Sequence, residues 1–392
     1  MRKQFGIYIH IPFCRQKCFY CDFPSFAGRE SRIDSYLTAL EQELLLGKNK
    51  LLEQSAGEEI CDGNGRLLPA TIYIGGGTPT VLSEEQLKKL LSAVQRHIAV
   101  EAAWEFTVEA NPGTLNSEKL RLLRAAGANR LSIGVQSFDD SCLKAIGRVH
   151  NAGEAAAAVE LADKLGFGNI SLDLIYGLPY QPLSKLQESV QTALSLPIRH
   201  ISVYGLQIEE GTAFASMAKM GKLHLPDDDA VEKMYDYIAE ALPQSGYLRY
   251  EISNYSQKGY ESRHNLSYWQ DVDYLGFGSG AHGYWQGIRY ENPRNIDKYM
   301  EIVQSGALPA AVEERLDRKS HIEEFCFLGL RTAEGLDDKT FRQKFGAGLR
   351  EVYGNVLDSL VDKGLLKSTN RGIALTDLGM KYGNQVFGEF LL

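Results

Sequence analysis

Short apolar runs alternate with helical patterns through the first half of the chain, and that alternation predicts the architecture. Segments 5–11, 70–74, 105–109, 130–135, 169–175 and 200–205 read as strands. Between them, 33–46, 84–98, 117–126, 139–146, 153–165 and 183–194 repeat apolar residues at helical spacing. Ser83 is the expected N-cap of the second helix, and Gly127 ends the third. Such alternation implies parallel pairing with right-handed crossovers. Six units fall short of a closed eight-stranded barrel, so an α/β fold with an open, partial (βα)6 barrel is expected. The polar, Gly- and Glu-rich segment 47–68 reads as a surface insertion.

After Gly221 the character changes. A helix is expected over 227–242, then an aromatic, turn-rich stretch over 247–290. From about Glu313 the chain becomes helical and charged. Helices are expected at 320–330, 338–345 and 349–363, and short strands at 365–368 and 372–375 around the turn signal Asn370-Arg371-Gly372. Thr376-Asp377 opens a last helix. Helix, helix, helix, hairpin resembles a winged helix. The expected units are a barrel over 1–222, an aromatic α+β extension over 223–312, and a winged-helix-like domain over 313–392.

Composition narrows the function classes. A length of 392 residues accommodates two or three domains. The net charge of -8 argues against a general nucleic-acid binder. Winged helices often bind DNA, but no basic recognition face stands out, so a packing or lid role is favoured over a DNA-binding regulator. No apolar segment is long enough for a signal peptide or a membrane span, so a cytoplasmic location is expected. Contact with a membrane could still come through a partner protein. A reducing compartment keeps thiols free to act as metal ligands.

Cys14, Cys18 and Cys21 cluster directly after the first apolar run. Three thiolates can hold three irons of a cubane cluster and leave the fourth open to a small molecule. The competing reading is zinc, which prefers four ligands in two close pairs. The sequence has no second pair, and His10, a conceivable fourth ligand, lies inside the apolar run. A disulfide would leave one of the three over. Cys61, Cys142 and Cys326 are scattered and read as incidental or packed thiols with no assigned role.

Gly75-Gly76-Gly77-Thr78-Pro79-Thr80 follows the second strand. Glycines there allow close approach of backbone to a ligand; alone, they also fit a tight turn. Glu109, Gln136 and Asp173 lie at or near strand ends, and Arg148 follows twelve positions after Gln136. Barrel-like folds meet their ligands at the C-terminal ends of strands. A structural ion pair is the alternative for Glu109 and Arg148. An acid within an apolar strand, such as Asp173, requires a partner or water.

The C-x3-C-x2-C spacing, with Tyr20 before the last cysteine, resembles the signature of radical SAM enzymes. Ile9-His10-Ile11-Pro12-Phe13-Cys14, the glycine loop, Gly134-Val135-Gln136-Ser137-Phe138 and Asp173-Leu174-Ile175-Tyr176-Gly177-Leu178-Pro179 narrow this. Together they are similar to the oxygen-independent coproporphyrinogen III oxidase family, from about Tyr8 to the C-terminus. The resemblance implies a [4Fe–4S] cluster on the three cysteines. It also implies S-adenosylmethionine contacts at Tyr8, Tyr20, Gly76, Gly77, Thr78, Glu109, Gln136, Arg148 and Asp173. Two departures stand out. Phe23 occupies the place of a further cysteine in the oxidase, and only thirteen residues precede Cys14. Both match the family's haem-chaperone branch. His264-Asn265-Leu266-Ser267-Tyr268-Trp269 looks like that branch's HNxxYW motif. The branch implies haem as cargo, a recipient haem protein as partner, an electron donor, and a second copy of the chain. Imidazole is a good haem ligand, and Tyr268 and Trp269 offer flat faces to a porphyrin. On residue types alone, His264 better fits a histidine hydrogen-bonded in an aromatic core patch. His282, in Gly278-Ser279-Gly280-Ala281-His282-Gly283, is a second candidate ligand. Oxidative decarboxylation of coproporphyrinogen III remains the enzymatic alternative.

Overall fold

The computed structural model describes residues 2–54 and 59–392. Six strands lie side by side in chain order, all parallel: β1 (Gly6–Ile11), β2 (Thr71–Gly76), β3 (Glu105–Ala110), β4 (Arg130–Gln136), β5 (Ile170–Tyr176) and β6 (His200–Gly205). The crossovers carry α1 (Ile33–Gln54), α2 (Glu84–His97), α3 (Ser117–Ala125), α4 (Asp140–Ala145), α5 (Ala152–Lys164) and α6 (Leu183–Ser195). Ser83 with Gln86, and Asn151 with Glu154, form capping boxes that satisfy the first N–H groups of α2 and α5.

The two faces of this sheet differ sharply. Ile7, Ile9, Ile72, Ile74, Phe106, Val108, Leu131, Ile133, Leu172, Leu174, Ile201 and Val203 are buried in one core with the helices. The alternate positions are polar: Tyr8 and His10, Thr71 and Tyr73, Glu105, Thr107 and Glu109, Arg130 and Ser132, Ser171 and Asp173, His200 and Ser202. A strand turns successive side chains to opposite faces. One parity therefore builds the apolar layer, and the other lines the concave side with hydrogen-bonding groups.

The sheet continues beyond the barrel. β7 (Leu248–Arg249) and β8 (Asn254–Ser256) add antiparallel strands past β6. On the other edge, β9 (Tyr274–Phe277) pairs parallel with β1. Antiparallel β10 (His282–Trp285), β11 (Ile288–Glu291) and β12 (Ala311–Arg315) follow, giving a sheet of twelve strands. The aromatic stretch thus protects both edges of the parallel core, which unpaired would be pairing templates.

Segment 47–68 differs from the expected surface insertion. α1 runs on to Gln54, and Leu51, Ile60 and Leu67 are buried in the main core. Residues 55–58 of that segment lie outside the described residues. The reason is the continued leucine spacing: Leu44 and Leu51 fall on one side of the helix, and one glycine does not stop it. Gly47 faces the Phe277 ring so closely that a Cβ there would lie 2.7 Å from the ring edge.

A second hydrophobic cluster gathers the helices Arg318–Leu330, Asp338–Phe345 and Leu349–Asp362. They pack with a small sheet ordered β13 (Leu336–Asp337), β15 (Gly372–Leu375), β14 (Leu366–Ser368). Cys326 is buried inside that cluster, as expected of a packed thiol. Among the described residues, no helix is long and apolar enough to cross a membrane.

Because Leu51 and Leu67 belong to the core, Leu51→Ala and Leu67→Ala should each lower unfolding free energy by about 2–4 kcal/mol, the usual large-to-small penalty. Urea denaturation would show this; a surface insertion would give almost no change.

Candidate functional site

The three-cysteine loop leaves the C-terminal end of β1 and is stitched to its surroundings by backbone bonds. Gly77 N–H donates to Ile11 C=O at 2.9 Å, and Thr78 N–H to Phe13 C=O at 2.8 Å. Cys14 N–H donates to Phe26 C=O at 3.0 Å, and Phe26 N–H to Pro12 C=O at 2.8 Å, closing the loop on itself. All six cysteines are free thiols. Cys14 Sγ lies 3.7 Å from Thr78 Oγ1. Arg148 Nη1 donates to Cys18 Sγ at 3.4 Å. Burial pushes the Cys14 and Cys21 thiols up, and the neighbouring Cys18 pushes both the same way. Three thiols that repel as anions suit a cationic centre, which removes that penalty.

His10 does not complete a zinc set. Its Nε2 bonds the Pro24 carbonyl at 2.8 Å, and its Nδ1 bonds Tyr8 Oη at 2.8 Å. A carbonyl only accepts, so Nε2 carries the proton and Nδ1 accepts from the Tyr8 hydroxyl. Burial pulls the His10 pKa down to about 4, keeping the ring neutral. The ring also lies flush against Gly76, where a Cβ would sit 2.4 Å from it. Gly76 has φ +108°, and a Cβ on Gly77 would lie 2.7 Å from the Phe13 carbonyl oxygen. Neither position can carry a side chain while the loops stay in register.

Glu109 faces this glycine loop. Its carboxylate accepts from Tyr73 Oη at 2.6 Å and from Gly76 N–H at 3.0 Å. Gln136 and Arg148 converge over Gly134. The Gln136 amide nitrogen and Arg148 Nη2 lie 3.0 and 3.3 Å from where a Gly134 Cβ would be. Gln136 has φ 72°, a left-handed conformation, and the β4–β5 register shifts at the same point. Such strain in a non-glycine residue clusters at functional sites. Arg148 also donates to Asn111 Oδ1 at 3.1 Å and to Gly134 C=O. Asp173 accepts from Ser132 Oγ at 3.3 Å. Tyr20 sits beside Arg148 and Cys18, and burial pushes its hydroxyl up.

The HNxxYW residues lie at the opposite end of the barrel, on the helix Arg263–Trp269. Glu105, first residue of β3, accepts from Arg263 N–H at 2.9 Å and His264 N–H at 3.1 Å, so an anion caps the helix N-terminus. His264 is 1% exposed. Its Nδ1 bonds Thr71 Oγ1 and its Nε2 bonds Tyr268 Oη, each at 2.8 Å, and the ring stacks on Tyr73 at 5.1 Å. Burial drives its pKa down to about 3. Neither ring nitrogen is free in this arrangement, so binding iron would require one bond to open. Trp269 lies under the Arg331 guanidinium at 4.5 Å.

The radical SAM superfamily model matches residues 8–193, and the HemN C-terminal domain model matches 316–381. The haem chaperone HemW of Bacillus subtilis is 43% identical, covering 98% of each chain. The HemW of Lactococcus lactis is 39% identical, covering 100% of this chain and 98% of its own. This chain belongs to the HemW family. Its fold is that of radical SAM proteins with a HemN-type C-terminal region. The solved coproporphyrinogen III oxidase HemN of Escherichia coli superposes with a TM-score of 0.84, covering 100% of this chain and 90% of that one at 24% identity, and so shares the fold.

The residues the sequence singled out thus form two groups in this HemW-family fold. The cysteines, glycines, Tyr8, Tyr20, Thr78, Glu109, Gln136, Arg148 and Asp173 gather at or just below the barrel mouth. His264, Tyr268 and Trp269 sit at its floor. The arrangement at the mouth suits the implied cofactors: three sulfur donors, a side-chain-free cradle, and a carboxylate aimed at it. Several polar residues escaped sequence reading. Asn111 and Tyr73 orient Arg148 and Glu109. Arg130 is 1% exposed on the inner face, and its Nε has no hydrogen-bond partner. Inward parity with Ser132 was the available signal for Arg130; Tyr73 shares parity with Thr71 in the same way.

Burial pushes Glu109 up to about 7, with nearby Asp173 adding to it. Its folded pKa exceeds its unfolded value, so ionisation at higher pH opposes folding, and the loss develops as pH rises through the window from about 4.5 to 7. Glu109→Gln should therefore raise the urea midpoint of cofactor-free protein at pH 8, with the gain vanishing below pH 5. A gain that is independent of pH would contradict this.

Proposed function

We propose that the chain binds haem and hands it to a recipient haem protein, using a [4Fe–4S] cluster and S-adenosylmethionine. The reading is supported above all by the full-length likeness to proteins named haem chaperones, in a chain whose three free thiols are pinned beside a glycine cradle. Cys14, Cys18 and Cys21 would hold three irons. Such a cluster, with S-adenosylmethionine on its open iron, supplies one-electron cleavage of a carbon–sulfur bond.

The chain's own groups bind and orient. Gly76 and Gly77 let the methionine portion approach the backbone. Glu109 takes the ammonium, for which a carboxylate already held by two donors is preorganised. Gln136, Arg148 and Asp173 offer hydrogen-bonding groups to the sugar hydroxyls. Tyr8, Tyr20 and Thr78 close the surrounding wall.

Tyr268 and Trp269 border a cavity of about 240 Å3 with Tyr274, Tyr284, Arg289 and Glu324. That is below the roughly 300–1,000 Å3 that encloses a drug-sized ligand, so a whole macrocycle does not fit inside. In this reading the HNxxYW motif acts as a floor. His264 positions Tyr268 and Tyr73, and Trp269 seats the C-terminal helices through Arg331.

Anaerobic reconstitution tests the cluster. Each of Cys14→Ala, Cys18→Ala and Cys21→Ala should lose most iron and sulfide, because two thiolates hold a cubane poorly. Full iron and sulfide in such variants, or zinc in the oxygen-free wild type, would overturn the assignment. Haem titration with and without S-adenosylmethionine tests the cargo. The expected outcome is one saturable haem site, with no protoporphyrinogen formed from coproporphyrinogen III.

A further inference from the structure

Two features singled out in the sequence stand outside the site described above: the phenylalanine beside the cluster cysteines and the histidine of Gly-Ala-His-Gly. The fold brings them to one rim. Phe23 is 62% exposed on the cluster loop. Its neighbour Pro24 lies 2.8 Å from where a Gly280 Cβ would be, and Gly280 is two residues before His282. His282 opens β10 with its side chain 38% exposed. Its Nε2 lies 3.5 Å from Glu291 Oε1, and its Nδ1 lies 3.6 Å from Glu313 Oε2. Both distances are looser than a good hydrogen bond. Glu313 is the extra residue where the β11–β12 register shifts: Tyr290 pairs with Val312 and Arg289 with Glu314. A bulge of this kind re-aims a side chain.

Cations gather on the same rim. Arg294 touches the space beside Gly280 and pairs with Glu291 at 2.7 Å. Arg29 and Arg32 both meet Asp297. The Arg294 and Arg29 side chains are exposed, whereas Arg32 Nε is buried without a partner.

We infer that the haem iron is held by His282 on this open rim, not by His264 at the floor. The inference rests on the proposal that the chain binds haem, and it names where. One nitrogen of His282 takes the iron. The other N–H donates to the remaining glutamate, the partner that orients a ligating imidazole and raises its basicity. Phe23 offers an apolar face to the ring edge. Exposed Arg294 offers a guanidinium to a carboxylate of the porphyrin. His264 offers none of this: it is sealed, neutral and bonded at both nitrogens. A partly exposed ligand also suits cargo that must leave for another protein.

Anaerobic haem titration of the full chain separates the two histidines. His282→Ala should lose the histidine-ligated Soret spectrum and bind haem about tenfold more weakly, or worse. Added imidazole should restore the spectrum, which a folding defect would not allow. His264→Gln should keep the wild-type spectrum. Arg294→Glu should weaken haem but not its dimethyl ester, whose carboxylates are blocked. A wild-type spectrum and affinity in His282→Ala, or ligation lost only in His264→Gln, would overturn the inference and leave haem binding intact. Wild-type protein that binds no haem would instead sink the functional reading itself.

Discussion

Two backbone hydrogen bonds hold the functional end of this molecule together: Gly77 N–H to Ile11 C=O, and Thr78 N–H to Phe13 C=O. They extend the β1–β2 pairing past the strands and into the loops. The cysteine loop is thereby docked on the glycine loop before any side chain is considered. This close docking leaves no room for a Cβ at Gly77. The three thiols, the cradle and the Glu109 carboxylate inherit their mutual placement from that one backbone contact. Fixing a site through main-chain bonds on strand ends is stiffer than fixing it through long side chains, and cluster chemistry demands that stiffness.

The second constraint is the polar inner face. Helices bury one parity of the six strands, so the other must line an interior that a filled barrel would pack with apolar residues. Polar groups in such a place require partners. Tyr8 with His10, Tyr73 with Glu109, Ser132 with Asp173, Ser171 with His200 and Thr71 with His264 supply them pairwise. Arg130 does not fit this scheme. It carries a charge that arginine does not give up, and its Nε remains without a partner. Its field reaches Glu109, Asp173 and His264 alike. The interior therefore contains a fixed positive centre below the mouth, and the acids above it are easier to ionise than burial alone would permit.

Period and punctuation made the parallel core legible. Six apolar runs with helical spacing between them were enough, because each strand is buried on one face and α2, α3, α4 and α5 start at side-chain caps. The C-terminal helices and hairpin were legible for the same reason. What escaped had weak local signals. β9 is the four residues Tyr274–Phe277 in a stretch crowded with glycine and aromatics, and its parallel pairing with β1 is a contact across most of the chain. The core role of Leu51, Ile60 and Leu67 was hidden by Gly47 and by the polar residues around them. At the site, residue types with a chemical signature stood out, whereas supporting groups such as Asn111 and Tyr73 look ordinary until the fold brings them beside Arg148 and Glu109. His264 shows the limit most clearly. A motif marks it, yet only geometry distinguishes a free imidazole from one with both nitrogens engaged.

The two ends of the barrel carry opposite physical characters, and that difference bears on how cargo could move. At the floor His264 is sealed: Glu105 caps the helix Arg263–Trp269, His264 is locked between Thr71 and Tyr268, and Arg331 stacks over Trp269. Opening it would expose several hydrogen bonds at once, each contributing roughly 0.5–1.5 kcal/mol, so a ligand exchanged there would pass a considerable barrier. The rim is open: Phe23, His282 and Arg294 face solvent, and the ion pairs beside them are screened and weak. A ligand taken up at the rim displaces little and leaves easily. The rim also lies against Pro24, on the same loop that carries the cysteines. A shift of that loop would therefore be felt at the rim directly, with no need for a signal through the core.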